Sequence, residues 1–457
     1  MQEGEAAERQ ADLKKSRWRA GIVLFAAGAA VLPLLLATDP VQGRVLAICA
    51  GTLILWLAEP IPLYATTLVL WTAIVTLLAP LGKEFSPASV LRWAADPILA
   101  LFFGGFVLGV AGEKYGIDKF IASRMVLFAR GSRMLLFANV MLGTAVLSMW
   151  MSNIAAVVMI LAALMPILKT MPPGDAYRSA LLLGVAFAAN LGGMATPIGT
   201  GPNGIAIGAI SHVRQITFLH WMSFALPLTL GMLLAAFLYL ALRYRVGGRL
   251  ELENIETPSL DTSGKTVVAL FSLAVLGWLT EPIHNIPAAI LSTGVSALLF
   301  GIGLLDKDDL GRIDWGTLLL IAGGLTFGQL LQTSRLAEQT AAALNLAALD
   351  PTLVLLIFVV AAAFLAAVAS NTAAAILFIQ LGTAAVPAEW FTVATVIIAL
   401  GTSMGMPFVI STPPNAMVYG KGGLRSTELL VPGMLLMVLG CAILVFTGPP
   451  VLRWFGI

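Results

Sequence analysis

Ala369-Ser370-Asn371-Thr372 is a polar step inside apolar sequence, set between Ile357-Phe358-Val359-Val360 and Ala375-Ile376-Leu377-Phe378. The first half of the chain holds its partner, Met151-Ser152-Asn153-Ile154, again with apolar sequence on both sides. About 40 to 50 residues after each Ser-Asn comes a Thr-containing Pro-Asn step. These are Thr196-Pro197-Ile198-Gly199-Thr200-Gly201-Pro202-Asn203 and Ser411-Thr412-Pro413-Pro414-Asn415. Each half therefore carries two polar breaks in the same order.

The surrounding sequence is that of a membrane protein. Of 457 residues, 59% are hydrophobic and 11% charged, and the mean hydropathy is +0.94. Apolar runs of about 20 residues recur from end to end, the length of a bilayer-spanning helix. The net charge of +2 points to no nucleic-acid partner. Cys49 and Cys441 lie inside apolar runs and read as packing residues. The first apolar run, Ile22 to Leu36, has no small-residue cleavage pattern after it and reads as a retained helix.

Taken in order, a tail over 1–17 precedes spans near 19–38, 44–58, 64–81 and 96–112. A charged amphipathic stretch, Glu113 to Arg133, reads as interfacial. Residues 134–168 are too long for one span and too short for two, so a re-entrant hairpin with Ser152-Asn153 at its tip is expected. A helix over 178–211, broken at 192–203, and another over 222–242 complete the first unit. The second unit repeats the plan: spans near 266–281, 287–304 and 314–332, an amphipathic stretch, a hairpin over 351–384, a broken helix over 390–420 and a last span over 429–448. The expected fold is all-α, with about 11 membrane helices and two re-entrant hairpins.

Residues repeat as well as hydropathy. Trp56-Leu57-Ala58-Glu59-Pro60-Ile61 returns as Trp278-Leu279-Thr280-Glu281-Pro282-Ile283, and Gly104-Gly105 as Gly323-Gly324. Spacings between equivalents fall from 222 to 219, 218 and 212, as one duplicated unit with small deletions would give. An odd number of crossings per unit inverts the second unit, the plan of many secondary transporters. With the N-terminus inside, only Arg44, Lys83, Arg92, Arg214, Arg335 and Arg453 of the 26 Lys and Arg fall outside, which the positive-inside rule favours.

A helix broken in lipid leaves backbone groups without partners, so such breaks survive only where protein, water or ligand satisfies them. Helix N-termini suit an anion; carbonyl, hydroxyl and amide oxygens suit a hard cation such as Na⁺. No Lys, Arg, Asp, Glu or His occupies either hairpin core or either Pro-Asn break. That disfavours a proton relay, which needs an intramembrane ionisable group. It also leaves no nucleophile–base pair for an enzyme. Plainer roles stand beside these: Ser-Asn as an interhelical hydrogen bond, Glu-Pro as a turn, the paired glycines as close packing, and Asp96 and Asp314 as N-caps. His212, His220 and His284 are not spaced as a metal site.

At these residues the chain resembles the divalent anion/sodium symporter (DASS) family, in its INDY-type dicarboxylate branch. Ser370-Asn371-Thr372 matches the family's Ser-Asn-Thr motif in full, and Ser152-Asn153-Ile154 in two of three positions. The resemblance runs from about residue 20 to the C-terminus. It implies a homodimer in the bilayer and an elevator mechanism. A scaffold would comprise 19–133 and 266–350, and a transport part 134–245 and 351–457, with a tail at 1–18 and a linker at 246–265. It also implies that Ser152, Asn153, Ser370, Asn371 and Thr372 hold the substrate carboxylates, with Thr200, Thr412 and Pro413 beside them. One Na⁺ would take Ser148, Ser152, Asn153 and carbonyls near Gly199; a second would take Asn371 and carbonyls near Ala366 and Ser411.

Two departures bear on chemistry. Ile154 stands where the family has Thr, and Ala366 lacks the hydroxyl that Ser148 supplies in the first half. The expected protein is a secondary transporter of small divalent anions, C4-dicarboxylates first, in a prokaryotic inner membrane. Na⁺ symport is the expected coupling, with Na⁺-independent exchange, or citrate, tartrate or sulfate as cargo, as the alternatives. A channel is the alternative of another class.

Overall fold

A computed structural model describes residues 2–37, 39–250, 259–343 and 345–456. Among these the secondary structure is helical, apart from one isolated bridge between Ser132 and Arg249. Seven helices are long and apolar enough to cross a membrane, and shorter apolar helices lie between them. The first 17 residues, expected as a tail or a surface helix, run on into the first span as one helix, Gln2–Leu36. Residues 5–19 contain no Gly or Pro and are rich in Ala, Glu, Lys and Arg, so nothing stops the helix there. Of the linker expected at 246–265, residues 251–258 lie outside the described residues.

Both hairpins are present. Arg133–Ser148 turns at 149–152 and returns as Asn153–Lys169. Pro351–Val368 turns at 369–370 and returns as Asn371–Ala384. At 1.5 Å per residue the arm Pro351–Val368 is about 27 Å long, enough to cross, yet the chain reverses and its two arms pack on each other. Both long helices break as expected, into Ala176–Gly192 with Gly201–Ile210, and Phe391–Thr402 with Pro413–Gly420.

The hairpin arms pack on the broken helices. The remaining helices pair reciprocally across the two halves: Pro97–Lys114 lies on Ala288–Gly301, and Leu63–Leu77 on Trp315–Thr333. Paired glycines make these contacts close. A side chain at Gly104 would strike Ser292, and one at Gly323 would strike Thr67. Their neighbours face the other way, Gly105 against Ile198, and Gly324 against Ile205 and Ile376. The glycine pairs thus serve helix packing, one member within the outer frame and one against the hairpin-bearing unit.

Caps set the helix ends. Asp96 accepts the Ile98 N–H at 2.8 Å, and Asp314 accepts that of Thr317 at 2.9 Å. Glu59 closes Pro40–Ala58 in the left-handed region at φ 48°. Charges cluster where Pro97–Lys114 ends and Trp315–Thr333 begins: Lys114 bridges Asp306 at 3.1 Å and Asp309 at 2.5 Å, and Arg312 reaches Glu113 at 2.9 Å.

Gly405 lies so close to the second hairpin that a Cβ there would sit 2.5 Å from the Ala363 carbonyl oxygen and 2.7 Å from the Ala367 nitrogen. Backbone atoms cannot step aside cheaply, so Gly405→Ala is expected to destabilise the fold by about 1–3 kcal/mol. Gly231→Ala, with nothing within 4 Å, is expected to be neutral. Thermal unfolding of both variants in detergent checks the pair.

Candidate substrate site

Four helices start at one place. Ser152 caps Asn153–Lys169 by accepting the Ala155 N–H at 3.2 Å, and Ser370 caps Asn371–Ala384 by accepting that of Ala373 at 3.4 Å. Thr412 caps Pro413–Gly420 by accepting the Asn415 N–H at 3.4 Å. Thr200 holds the same position before Gly201–Ile210 without a side-chain cap. All four caps, with Asn153, Asn371, Thr372, Gly199, Gly201, Ser411 and Pro413, line one cavity of about 750 Å³. All eight residues assigned to substrate are thus brought together. Thr372 lies against Gly201, where a Cβ would come 2.5 Å from its Oγ1, so the tip of one half meets the break of the other.

The breaks hold because their carbonyls are served by side chains. Asn203 Nδ2 reaches the carbonyls of Gly193, Met194 and Thr196 at 3.1, 3.3 and 2.7 Å. Asn415 Nδ2 reaches those of Met406 and Phe408 at 3.0 and 2.8 Å. Each break also hooks its own hairpin. Thr196 Oγ1 donates to the Met149 carbonyl at 2.5 Å, and Ser411 Oγ to that of Ala367 at 2.6 Å. The asparagines of the Pro-Asn steps are therefore structural staples, both fully buried.

The residues assigned to cations divide unequally. In the first half, Ser148 Oγ lies 2.6 Å from Asn153 Oδ1 and 2.7 Å from the Ala189 carbonyl. One hydroxyl hydrogen cannot serve two acceptors, so oxygen lone pairs are in excess. Gly193 closes the group: a Cβ there would sit 2.6 Å from Asn153 Oδ1 and 2.8 Å from the Gly199 carbonyl oxygen. In the second half Ala366 is buried and has no hydroxyl to offer. Ser411 Oγ already accepts the Phe408 N–H at 2.9 Å while donating to Ala367. Asn371 Oδ1 is left buried with no hydrogen-bond partner.

Other lining residues lie outside the Ser-Asn and Pro-Asn steps. Phe102, Phe106, Leu320 and Thr317 come from the outer frame, and Glu59 and Asp314 line the cavity as well. Asn190 lines the wall and joins the halves, its Nδ2 3.2 Å from Asn415 Oδ1 and its own Oδ1 unpartnered. Its only sequence signal is a single amide inside Ala188-Ala189-Asn190-Leu191. Ile154 and Val368 are part-exposed to the cavity, at 47% and 44%.

Polar breaks held open inside an all-helical, membrane-spanning frame define a membrane transporter. The chain matches the CitMHS family, "Citrate transporter", over residues 53–401 and belongs to it, within the divalent anion/sodium symporters. An uncharacterized transporter of Haemophilus influenzae is 30% identical, covering 93% of this chain and 94% of its own. The sodium-dependent dicarboxylate transporter SdcS of Staphylococcus saprophyticus is 27% identical, covering 89% and 86%. The crystal structure of the Alcanivorax borkumensis YdaH transporter shares the fold, with a TM-score of 0.53 at 16% identity over 97% of this chain and 98% of that one. The protein is a transporter, not an enzyme.

Removing a staple orphans two or three buried carbonyls, each costing about 1–3 kcal/mol. Asn203→Ala and Asn415→Ala are therefore expected to lower thermal stability in detergent more than Asn190→Ala, which frees a single bond. Equal melting temperatures for all three would refute the staple role.

Proposed function

We propose that the protein is a secondary active transporter of small divalent anions, C4-dicarboxylates such as succinate, malate or fumarate, coupled to Na⁺. The observation that carries this is the convergence of four helix N-termini on one cavity. Each N-terminus is equivalent to about half a positive charge, so four present about two, matched to a dianion without any Lys or Arg. Hydroxyls and amides at the caps would orient the two carboxylates. Na⁺, as co-transported cargo, suits the oxygen group of Ser148, Asn153, Ala189 and Gly199. SdcS, by its name sodium-dependent and dicarboxylate-transporting, supports the same reading.

Residues 134–245 and 351–457 form the moving part, and 19–133 and 266–350 a scaffold that carries the homodimer contact. The two units are inverted repeats. The mouth lies on the face of the Lys114–Asp306 cluster, which the charge bias assigns to the cytoplasm of a prokaryotic inner membrane. The state described is then inward-open, and an elevator movement would carry the cavity to the other side.

A second reading, a Na⁺-independent exchanger, is favoured by the missing hydroxyl at the buried Ala366. Uptake of radiolabelled succinate into proteoliposomes separates the two. Accumulation driven by a Na⁺ gradient and lost without Na⁺ supports symport; uptake that ignores Na⁺ and needs internal succinate supports exchange. Conducting flux without saturation or counterflow would instead mark a channel, and uptake only from a citrate, tartrate or sulfate panel would move the substrate.

Charge-assisted hydrogen bonds are worth roughly 1.5–3 kcal/mol, so Asn153→Ala and Asn371→Ala should each cut uptake at least about tenfold in a folded protein. Ala366→Ser should lower the Na⁺ concentration for half-maximal uptake, and Ser148→Ala should raise it. Ile154→Thr adds a hydroxyl at the cavity wall and should tighten succinate binding by a few-fold; unchanged affinities across a dicarboxylate panel would remove position 154 from the substrate.

A further inference from the structure

The two N-cap aspartates of the scaffold are repeat equivalents, 218 residues apart, and they are in different states. Asp96 spends Oδ1 on its own helix, and its Oδ2 lies 3.0 Å from the Ser211 hydroxyl, whose one hydrogen it shares with the Gly208 carbonyl at 2.8 Å. Ser211 ends the helix Gly201–Ile210, whose other end builds the cavity. This bond therefore ties scaffold to moving part on the side away from the cavity mouth. It sits in a separate chamber of about 260 Å³ lined by Arg92, Ser211, His212, Gln332 and Gln380. Gln380 is 6% exposed and presses against Gly328 of the scaffold. An aromatic stack closes the same interface: Phe218 lies 5.0 Å from Trp278, and Trp150 of the first hairpin tip 6.2 Å from Trp278.

Asp314 has the same cap and a different second partner. Its Oδ2 accepts the hydroxyl of its own Thr317 at 2.6 Å, and its side chain opens onto the cavity. Across the gap the break spacing of 212 maps Ser211 onto Gly423, two residues from the exposed Lys421. We infer that Asp96 and Asp314 are alternating positioning residues: Asp96 holds the moving part through Ser211 when the cavity opens at Asp314, and Asp314 takes a donor from the Lys421–Arg425 segment when it opens at Asp96. The inference rests on the elevator reading above. Because the hairpins and broken helices pack together, a slide that closes one contact must open the other.

The test uses the full-length protein in nanodiscs with the reporter Ala209→Cys, a position 8% exposed in the chamber wall. The native Cys49 and Cys441 are buried. The maleimide labelling rate reads the population opened on the Asp96 side. Ser211→Ala removes a hydrogen bond to a charged group and is expected to raise that rate about tenfold. Ser211→Thr keeps the hydroxyl and should restore it. Asp314→Ser keeps the cap and should move the rate the opposite way, lowering it. An unmoved rate in Ser211→Ala, or an equal rise in Ser211→Thr, overturns the proposal; an unmoved rate in Asp314→Ser overturns its second half. Succinate uptake measured alongside separates the two readings. Opposite labelling shifts without uptake overturn the substrate and leave the latch, and uptake without shifts does the reverse.

Discussion

A helix that stops inside an apolar slab exposes carbonyls and amides that lipid cannot serve, at several kcal/mol each. This protein stops four helices there. The free amide ends are capped by Ser152, Ser370 and Thr412, and the free carbonyl ends are gathered by Asn203 and Asn415. Thr196 and Ser411 then fasten each break to the turn of its hairpin. With the carbonyls tied back into protein, the N-termini keep their positive ends directed at the cavity. The polarity of the site follows from which ends were satisfied internally.

The two halves meet this constraint with the same plan and different side chains. Ser148 bonds Asn153 where Ala366 leaves Asn371 unpartnered. Thr372 presents a hydroxyl where Ile154 presents a hydrocarbon. Trp150 is packed into an aromatic stack, while Val368, its counterpart at the other tip, faces the cavity. The two halves thus differ in the oxygens they supply around their Ser-Asn steps, and in having one polar and one apolar residue just after them. The dipoles of the four N-termini are common to both halves, so these side chains are where the halves differ.

Small residues set how the parts touch. Gly104 and Gly323 let helices of opposite halves approach within reach of Ser292 and Thr67. Gly105 and Gly324 present smooth backbone to Ile198, Ile205 and Ile376 of the hairpin-bearing unit. Aliphatic side chains on glycine make a contact with few interlocking groups, and the polar ties across it are correspondingly few.

Much of this was legible in residue order. Hydrophobic runs and the doubled Ser-Asn and Pro-Asn steps determined the helical membrane class, the hairpins and the residues that line the cavity, since an amide amid twenty apolar residues has few places to go. The cap aspartates were legible from type and position for the same local reason. The extension of the first helix back to Gln2 was also written locally, in the absence of Gly or Pro over 5–19, though the polar composition there suggested a boundary. Only the tertiary structure decided what Asn203 and Asn415 bind, that Asn190 joins the halves, that Phe102, Phe106 and Thr317 complete the wall, and that Asp96 reaches across to Ser211 while Asp314 bonds within its own helix. The contacts of Asn190 with Asn415 and of Asp96 with Ser211 join segments more than a hundred residues apart, and those of Asn203 and Asn415 with nearby carbonyls depend on how the chain folds back at each break; spacing along a chain carries no record of either.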